Sequence, residues 1–388
     1  MNPAKSSVPK KHRQKSFSGQ KSRKSDAKKY LGTPLLSIDI GQCITKIALG
    51  RVVKQAQIEV RRAVSFPTPG GSMEKGRVLD LGELSAQIRH FVGSAKPSYV
   101  LCTIENAEII TREIILPTAG EAEMQSMLQF EVQQYMPVDL ENYIIQSKLL
   151  DSFQDGGTSK TRFLSTAVPK DLAQSYYDLM QRANLKPDVL DIQSNSIDKL
   201  ISSEIAASPG SLIPADAAVA IVDFGYSHIN VVLIENGRYQ FNRYIDQGSE
   251  SIDRSLMSVF DYTEEEIEGR KRDAIDLGTS LSATSEPSQD FERITLREVN
   301  IVKNVIDNWA DEFERVFKYY TSRNSEKDVK KILIHGGVTQ IKGFGAYLAK
   351  IMGIPVEQIQ KLNCVKVQDS SVSSITPYLN TIGAFIRR

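Results

Sequence analysis

The sequence predicts an α/β protein of two lobes behind a disordered basic tail, and three observations carry that prediction. The first is a repeat. Ser37-Ile-Asp39-Ile-Gly41-Gln-Cys-Ile-Thr-Lys46 and Ile221-Val-Asp223-Phe-Gly225-Tyr-Ser-His-Ile-Asn230 share an apolar strand, Asp-x-Gly, a short loop and a returning strand. The copies lie 184 residues apart, far beyond a solenoid period, which suggests two facing lobes. The second is the alternation of strand-length apolar runs with stretches of helical spacing from about Pro34 onward. The third is charge: residues 1–29 hold ten Lys/Arg against Asp26 alone, a net +9, leaving 38 basic against 46 acidic residues in the remainder.

The tail is rich in Ser and Lys and has no apolar patch, so burial cannot offset its ordering entropy. It also lacks the apolar centre of a secretory signal. Its charge suits anionic lipid, nucleic acid or an acidic protein face. An anionic membrane surface or an acidic partner is the expectation kept here, and nucleic acid is not expected; a merely solubilising tail is the plain alternative. The composition of the whole chain, 41% hydrophobic and 24% charged, is that of a soluble globular protein. Apolar runs such as Ala217–Val222 are far shorter than a membrane crossing requires. Cys43, Cys102 and Cys364 are isolated and odd in number, which predicts no disulfide framework or zinc site and a reducing cytoplasm.

Taken in order, Leu35–Gly41 reads as a strand into a turn and Ile44–Val53 as its return, followed by a Pro/Gly loop over Phe66–Gly76. Leu81–Val92 has helical spacing, Tyr99–Ile104 is a strand, and Ile109–Leu116 alternates. A helix is expected from Glu121 to Met136, with Met124, Met127, Leu128, Val132 and Tyr135 on one face covering a sheet. Tyr143–Leu150 and Thr161–Val168 read as strands. Pro169 opens a helix with Leu172, Tyr176, Leu179 and Ala183 on its apolar face. Val189–Ile192 is a strand and Ser196–Ala207 a helix, before a Ser/Pro/Gly break at Ala207–Ala215. Val219–Phe224, Ile229–Glu235 and Arg238–Ile245 are strands, the last two joined by Asn236-Gly237. Asp273–Gln289 reads as a loop. Leu296–Tyr320 is a long amphipathic helix with Val302, Val305, Ile306, Trp309, Phe313, Val316, Phe317 and Tyr320 on its core stripe. Ile332–Ile334 leads into His335-Gly336-Gly337, and Phe344–Met352 is a helix closed by Gly353.

The repeat carries the chemistry. An Asp at the C-terminal edge of a strand projects into the crevice where open α/β sheets bind ligands. The Gly two residues later lets the chain turn so that backbone N–H groups converge on an anion. Two such turns would grip a polyphosphate from both sides. Asp39 and Asp223 would hold a hydrated Mg²⁺ between them, because Mg²⁺ keeps most of its waters. Gly336 and Gly337 would let backbone approach a flat adenine ring. The sequence has no Gly-x-x-x-x-Gly-Lys-[Ser/Thr], so a P-loop is excluded.

From Pro34 to Arg388 the pattern resembles the actin-like ATPase fold, and more closely the PilM-type pilus assembly proteins, relatives of FtsA. Besides the two turns, the matching stretches include Ile115-Leu-Pro117 through Gln129-Phe-Glu-Val-Gln-Gln-Tyr-Met-Pro137, Ala167–Lys170 through Leu185–Asp188, Tyr262 through Lys271, Ile332–Phe344 and Pro377–Gly383. The resemblance implies a tail over 1–33 and lobe 1 over 34–212, made of subdomain 1A with a 1C insertion at about 98–188. Lobe 2 would span 213–376, with 2A and, at about 250–295, 2B, and a C-terminal helix at 377–388 would return to lobe 1. It further implies ATP with Mg²⁺ as ligand. Asp39, Gly41, Gln42 and Lys46 would form the first phosphate loop and Asp223, Gly225, Tyr226 and Ser227 the second. Glu268 and Lys271 would stand at the ribose or adenine, and Gly336 and Gly337 at the adenosine. A short N-terminal peptide of a PilN-like inner-membrane protein would sit beside 1C, holding a cytoplasmic chain near the inner membrane through that partner.

The chain departs from the family pattern at Gln42, Cys43 and Ile44, where hydroxyl residues are usual. It departs also at Val338, where a third glycine is expected, at His335, and at Tyr226 and His228. Bulk there is expected to weaken nucleotide binding. No catalytic residue is assigned: His228 and His335 read as loop histidines, and Asp80 and Glu105 as ordinary acids. The favoured function is therefore a scaffold for type IV pilus or related secretion machinery, binding ATP with weak or no hydrolysis. The alternatives are a catalytic ATPase or small-molecule kinase, which needs a carboxylate base, and an FtsA-like filament protein.

Overall fold

The computed structural model describes residues 29–54, 57–136, 139–210, 212–214, 217–278, 290–323 and 328–387. Residues 1–28, most of the expected tail, and residues 279–289 of the expected loop lie outside that set.

The first half runs β1 (Leu35–Ile40), β2 (Ile44–Lys54), β3 (Gln57–Pro67), β4 (Met73–Glu74), β5 (Arg77–Val78), α1 (Gly82–Val92), β6 (Tyr99–Ile104) and β7 (Ile110–Pro117). It continues with α2 (Glu121–Tyr135), β8 (Tyr143–Asp155), β9 (Thr158–Pro169), α3 (Lys170–Arg182), β10 (Pro187–Ile192) and α4 (Gln193–Ala207). The second half holds β11 (Ala218–Phe224), β12 (Ile229–Glu235), β13 (Arg238–Ile245), α5 (Glu250–Met257), α6 (Glu264–Asp273) and α7 (Asp290–Arg323). It closes with β14 (Val329–Gly336), α8 (Phe344–Met352), β15 (Val356–Gln358), β16 (Val365–Val367) and α9 (Leu379–Ala384).

Two sheets share one plan. In lobe 1 the order is β10-β6-β1-β2-β3-β16, and in lobe 2 it is β13-β12-β11-β14-β15. Each has an antiparallel meander, β1-β2-β3 or β11-β12-β13, to whose first strand a parallel pair is added, β6 and β10 or β14 and β15. β1 and β11 themselves are buried on both faces, which is why each reads as a short, mostly apolar run into its Asp. One face of the lobe 1 sheet packs α1 and α3. Between the sheets lie α4 and α9, in a core that joins Leu35 and Ala48 to Ile221, Val232 and Leu333. The far face of the lobe 2 sheet is covered by α5, α7 and α8, and the α7 residues Val302, Val305, Ile306, Trp309, Phe313, Val316, Phe317 and Tyr320 are all buried there.

A small subdomain interrupts lobe 1. Its sheet, ordered β7-β9-β8, is covered on one face by α2, with Ile114, Leu116, Val132, Met136 and Phe163 as its core. This unit spans residues 110–169; β6, α3 and β10, which the wider expected insertion takes in, belong to the main body of lobe 1. Of the predicted α2 face, Met124, Met127 and Leu128 pack on that core, but Tyr135 is 60% exposed. Residues 29–33, expected in the tail, rest on lobe 1: the Gly32 N–H donates to the Val52 carbonyl (2.7 Å) and the Tyr30 ring meets Tyr99 at 4.4 Å. The expected Pro/Gly loop holds β4, which pairs with β5 just beyond Gly76 in a short hairpin. Among the described residues no helix is long and apolar enough to cross a membrane.

Candidate functional site

The two Asp-x-Gly turns are the same object built twice. The Gly41 N–H donates to the Ile44 carbonyl (3.1 Å), and the Gly225 N–H to the His228 carbonyl (3.0 Å). A Cβ on either glycine would stand 2.7 or 2.8 Å from that oxygen, so the closed turn admits only glycine. Register then fixes the neighbours of each carboxylate. Asp39 lies opposite Lys46 on β2 and Thr103 on β6; Asp223 lies opposite Asn230 on β12 and His335 on β14.

Asp39 is buried. It accepts from Thr103 Oγ1 (2.8 Å) and Gln193 Nε2 (2.9 Å), and Lys46 Nζ lies 3.4 Å from its other oxygen. Asp223 accepts from Asn380 Nδ2 (2.8 Å) and faces His335 Nδ1 at 3.5 Å. Lys46 serves both lobes. Burial disfavours its charge, but Asp39 and Asp223 outweigh burial and hold its pKa above the ordinary value. Burial likewise disfavours charge on Asp223, and His335, Lys46 and the Asn380 bond outweigh it, so that carboxyl lies below the usual range. His335 itself is pushed down by burial against the pull of Asp223, which leaves Lys46 as the lasting cation of the site. His228 is also pushed down by burial.

Side chains cross the gap between lobes. Gln193, the first residue of α4, donates to Asp39 and shares a 3.3 Å contact with His228 Nε2, while Ser227 Oγ lies 3.2 Å from His228 Nδ1. Asn230 Nδ2 donates to Glu105 (2.8 Å), and Lys75 pairs with Asp246 (3.0 Å) at the surface. Lys46 ion-pairs Asp39 and lies within charge range of Asp223.

With the fold and turns in place, comparison with known proteins identifies the lineage. A family model for the type IV pilus assembly protein PilM matches residues 37–376, which take in both turns and the small subdomain. The chain belongs to the PilM family. Its structure is similar to that of a PilM-PilN type IV pilus biogenesis complex, with a TM-score of 0.73 and 18% identity over 91% of this chain and 98% of that chain. It is similar also to the ethanolamine utilization protein EutJ from Carboxydothermus hydrogenoformans, with a TM-score of 0.51 and 14% identity over 91% of this chain and 89% of that one. No curated protein sequence matches the chain. The shared architecture is the actin-like ATPase fold.

In this PilM-family chain the other predicted positions fall as follows. Gly336 has φ +99, and a Cβ there would meet the Phe224 carbonyl at 2.4 Å and Asp223 Oδ1 at 2.8 Å. Gly337, next in line, opens on empty space. Val338 is buried in the lobe 2 core, so its bulk sits there and not in the hollow. Gln42 is turned to the β4–β5 hairpin, where its Oε1 accepts from the Lys75 N–H (3.1 Å). Lys271 is spent in an ion pair with Asp253 (2.8 Å) and with Glu268. Cys43, exposed at the first turn, lies within charge range of Asp253, Glu268 and Lys271, so α6 faces that turn across the gap. Tyr226 also feels Cys43 and Asp253.

Sequence reasoning missed Thr103, Gln193, Asn230 and Asn380. One signal was available: Thr103 and Gln193 stand at the ends of the two strands added beside β1, where a doubly wound sheet gathers its ligands.

Proposed function

We propose that this PilM-family chain is a non-catalytic cytoplasmic scaffold of type IV pilus assembly that binds Mg·ATP as a structural ligand and a short peptide of a PilN-like inner-membrane protein. The observation that carries the reading is Lys46, which ion-pairs Asp39 on one turn and lies within charge range of Asp223 on the other. With two acids to one lysine, such a site suits a polyphosphate that arrives with its own cation. A small-molecule kinase needs a carboxylate base with a free oxygen near the acceptor. Of the two acids considered, Asp80 accepts from the Gly82 N–H (2.8 Å) at the start of α1, and Glu105 is consumed by Asn230 and backbone N–H groups.

The residues fit the nucleotide. The glycine turns and Lys46 are the donor set that a phosphate chain requires, and Gly337 is exposed with open space beside it, so its backbone is accessible to a ligand. The two carboxylates are few enough for a cation that keeps its water. In this reading the backbone of Gly41, Gln42, Gly225, Tyr226 and Ser227 holds phosphates together with Lys46, Asp39 and Asp223 hold the hydrated Mg²⁺, and Gly336 and Gly337 meet the nucleoside, with the Glu268–Lys271 ion pair beside it. Bound nucleotide adds stability to the closed lobes by mass action.

The small subdomain supports the peptide half. Phe130 and Tyr135 on α2 are 63% and 60% exposed, and Leu149 on the edge strand β8 is also exposed, apolar surface suited to an extended segment. Ten basic residues in 1–29 favour an anionic membrane surface as a further contact. The deciding experiment is calorimetric titration of the full chain with Mg·ATP, with phosphate release followed in parallel. Asp39→Ala and Asp223→Ala are each expected to weaken binding at least about tenfold with the fold intact. Unchanged affinity removes both residues from the site, and phosphate release well above a blank replaces the scaffold with an ATPase.

A further inference from the structure

Glu105 follows β6 directly and lies where the lobes meet. It is 5% exposed. The backbone N–H groups of Asn106 and Ser194 donate to its carboxyl from lobe 1, and Asn230 Nδ2 donates to its Oε2 at 2.8 Å from lobe 2. The β4–β5 hairpin closes over it: a Cβ on Gly76 would stand 2.0 Å from the Glu105 carbonyl. That hairpin is held by Asn106 Nδ2 on the Lys75 carbonyl (2.7 Å), Tyr176 OH on the Gly76 carbonyl (2.9 Å), and the Lys75–Asp246 pair to lobe 2.

Against this enclosure stands an unpaired set. Asn230 Oδ1, Ser194 Oγ and Tyr244 OH are buried without a hydrogen-bond partner. Tyr244 lies opposite Asn230 in the β12–β13 register, and Ser194 is already at the carboxyl through its N–H. The decisive member is Asn230 Oδ1, which can only accept. Its own amide nitrogen is on Glu105, and the oxygen beside it still lacks a donor. An ionised carboxylate has none to give; a carboxylic acid has one. Leaving such an atom buried and unpaired is unfavourable.

We propose that Glu105 and Asn230 form a proton-locked clasp between the lobes, in which the Glu105 O–H donates to Asn230 Oδ1 while Asn230 Nδ2 donates back to the acid carbonyl. The groups around the clasp do not favour a charge on Glu105. Asp223 on β11 repels one. Tyr176 on α3 and Tyr239 and Tyr244 on β13 are uncharged phenols that feel Glu105, and His228 stacks on Tyr244 with its ring centroid at 4.9 Å. The cations nearby are engaged elsewhere, Lys46 by Asp39 and Lys75 by Asp246. Burial, the largest influence, pushes the Glu105 carboxyl up to about 8 against the bonds donated by Asn106, Ser194 and Asn230. Closing the lobes therefore takes up a proton. The clasp is complete below the ordinary carboxylate range and is lost as pH rises through about 8.

The clasp holds without nucleotide, so its test does not depend on the function proposed above. Hydrogen–deuterium exchange is measured on the full chain, nucleotide-free, at several pH values from about 6 to 9 and corrected for intrinsic rates. Protection of β6 and β12 is expected to fall by up to about tenfold per pH unit across the titration. Glu105→Gln keeps a donor for Asn230 Oδ1 and cannot ionise, so its protection is expected to stay level. The same slope in wild type and Glu105→Gln overturns the clasp. Should Glu105→Gln fail to fold, Asn230→Ser removes the lobe 2 half. Low protection at every pH supports the clasp, and an intact wild-type slope overturns it.

Discussion

The two half-sites share a backbone and differ in their chemistry. Sheet order, turn closure and the glycine requirement are alike at Gly41 and Gly225. The residues facing the carboxylates are not: lobe 1 gives Asp39 a lysine, a threonine and a glutamine, and lobe 2 gives Asp223 a histidine and an asparagine borrowed from α9. A turn closed by its own N–H···O bond depends on glycine and little else, so it survives duplication. Charge need not be duplicated, because one ammonium in a low-dielectric hollow reaches both acids. The result is a site with one cation for two acids, supplied from lobe 1.

The largest effect should come from removing that cation. Lys46→Met leaves Asp39 and Asp223 without it and is expected to cost about 3 kcal/mol, the lower end for a broken buried pair because a quarter of the Lys46 side chain is exposed. Asn230→Ala, at the matching position of lobe 2, removes only neutral hydrogen bonding and is expected to cost about 1–2 kcal/mol. Urea denaturation of both variants measures the difference. Equal losses would mean that the half-sites are charged alike, and the asymmetry would have to be abandoned.

Adjacent glycines give the next contrast. Gly336→Ala forces a Cβ against the Phe224 carbonyl at φ +99 and should cost about 2 kcal/mol. Gly337→Ala enters open space and should stay within about 0.5 kcal/mol. If Gly337→Ala leaves stability alone yet lowers Mg·ATP affinity, the space beside it is where ligand lies; unchanged affinity moves the nucleoside elsewhere.

Legibility in the sequence follows the same division. The turns could be read because Asp-x-Gly sits between apolar runs and the pattern occurs twice, and the α7 stripe because burial on one face leaves a period of three to four residues. The partners of the acids could not be read locally. Thr103 and Gln193 lie 64 and 154 residues from Asp39, and Asn380 lies 157 from Asp223. Only sheet closure brings them together. The α2 face failed at Tyr135 for another reason: the helix covers a three-stranded sheet too narrow to bury it from end to end.

Acid should separate the lobes further. Asp223 is held below the ordinary carboxylate value, so its contribution is present above that value, near pH 3.8, and is lost as pH falls through the lowered one. Asp223→Asn is expected to cost about 1 kcal/mol near neutral pH, and that gap should narrow steadily on the acid side. Melting curves across the acid range measure it; a gap that holds constant would mean that neither Lys46 nor His335 favours the charge on Asp223.

The smallest effect concerns where lobe 1 begins. Composition predicts that residues 1–28 contribute charge and no core, so their deletion should move Tm by no more than about 1 °C. A cut after Thr33 also removes the Tyr30 ring from Tyr99 and the Gly32–Val52 hydrogen bond, and should cost about 1–2 kcal/mol more. Equal melting of the two truncations would return residues 29–33 to the tail. The same pair separates charge from packing at a membrane. If the basic residues meet anionic lipid, sedimentation with phosphatidylserine vesicles should be lost equally in both truncations and should weaken in the full chain as salt rises. Binding that persists without residues 1–28 would place the contact on the folded body instead, where the net charge is negative and a lipid surface of like sign would have to be overcome by apolar contact alone.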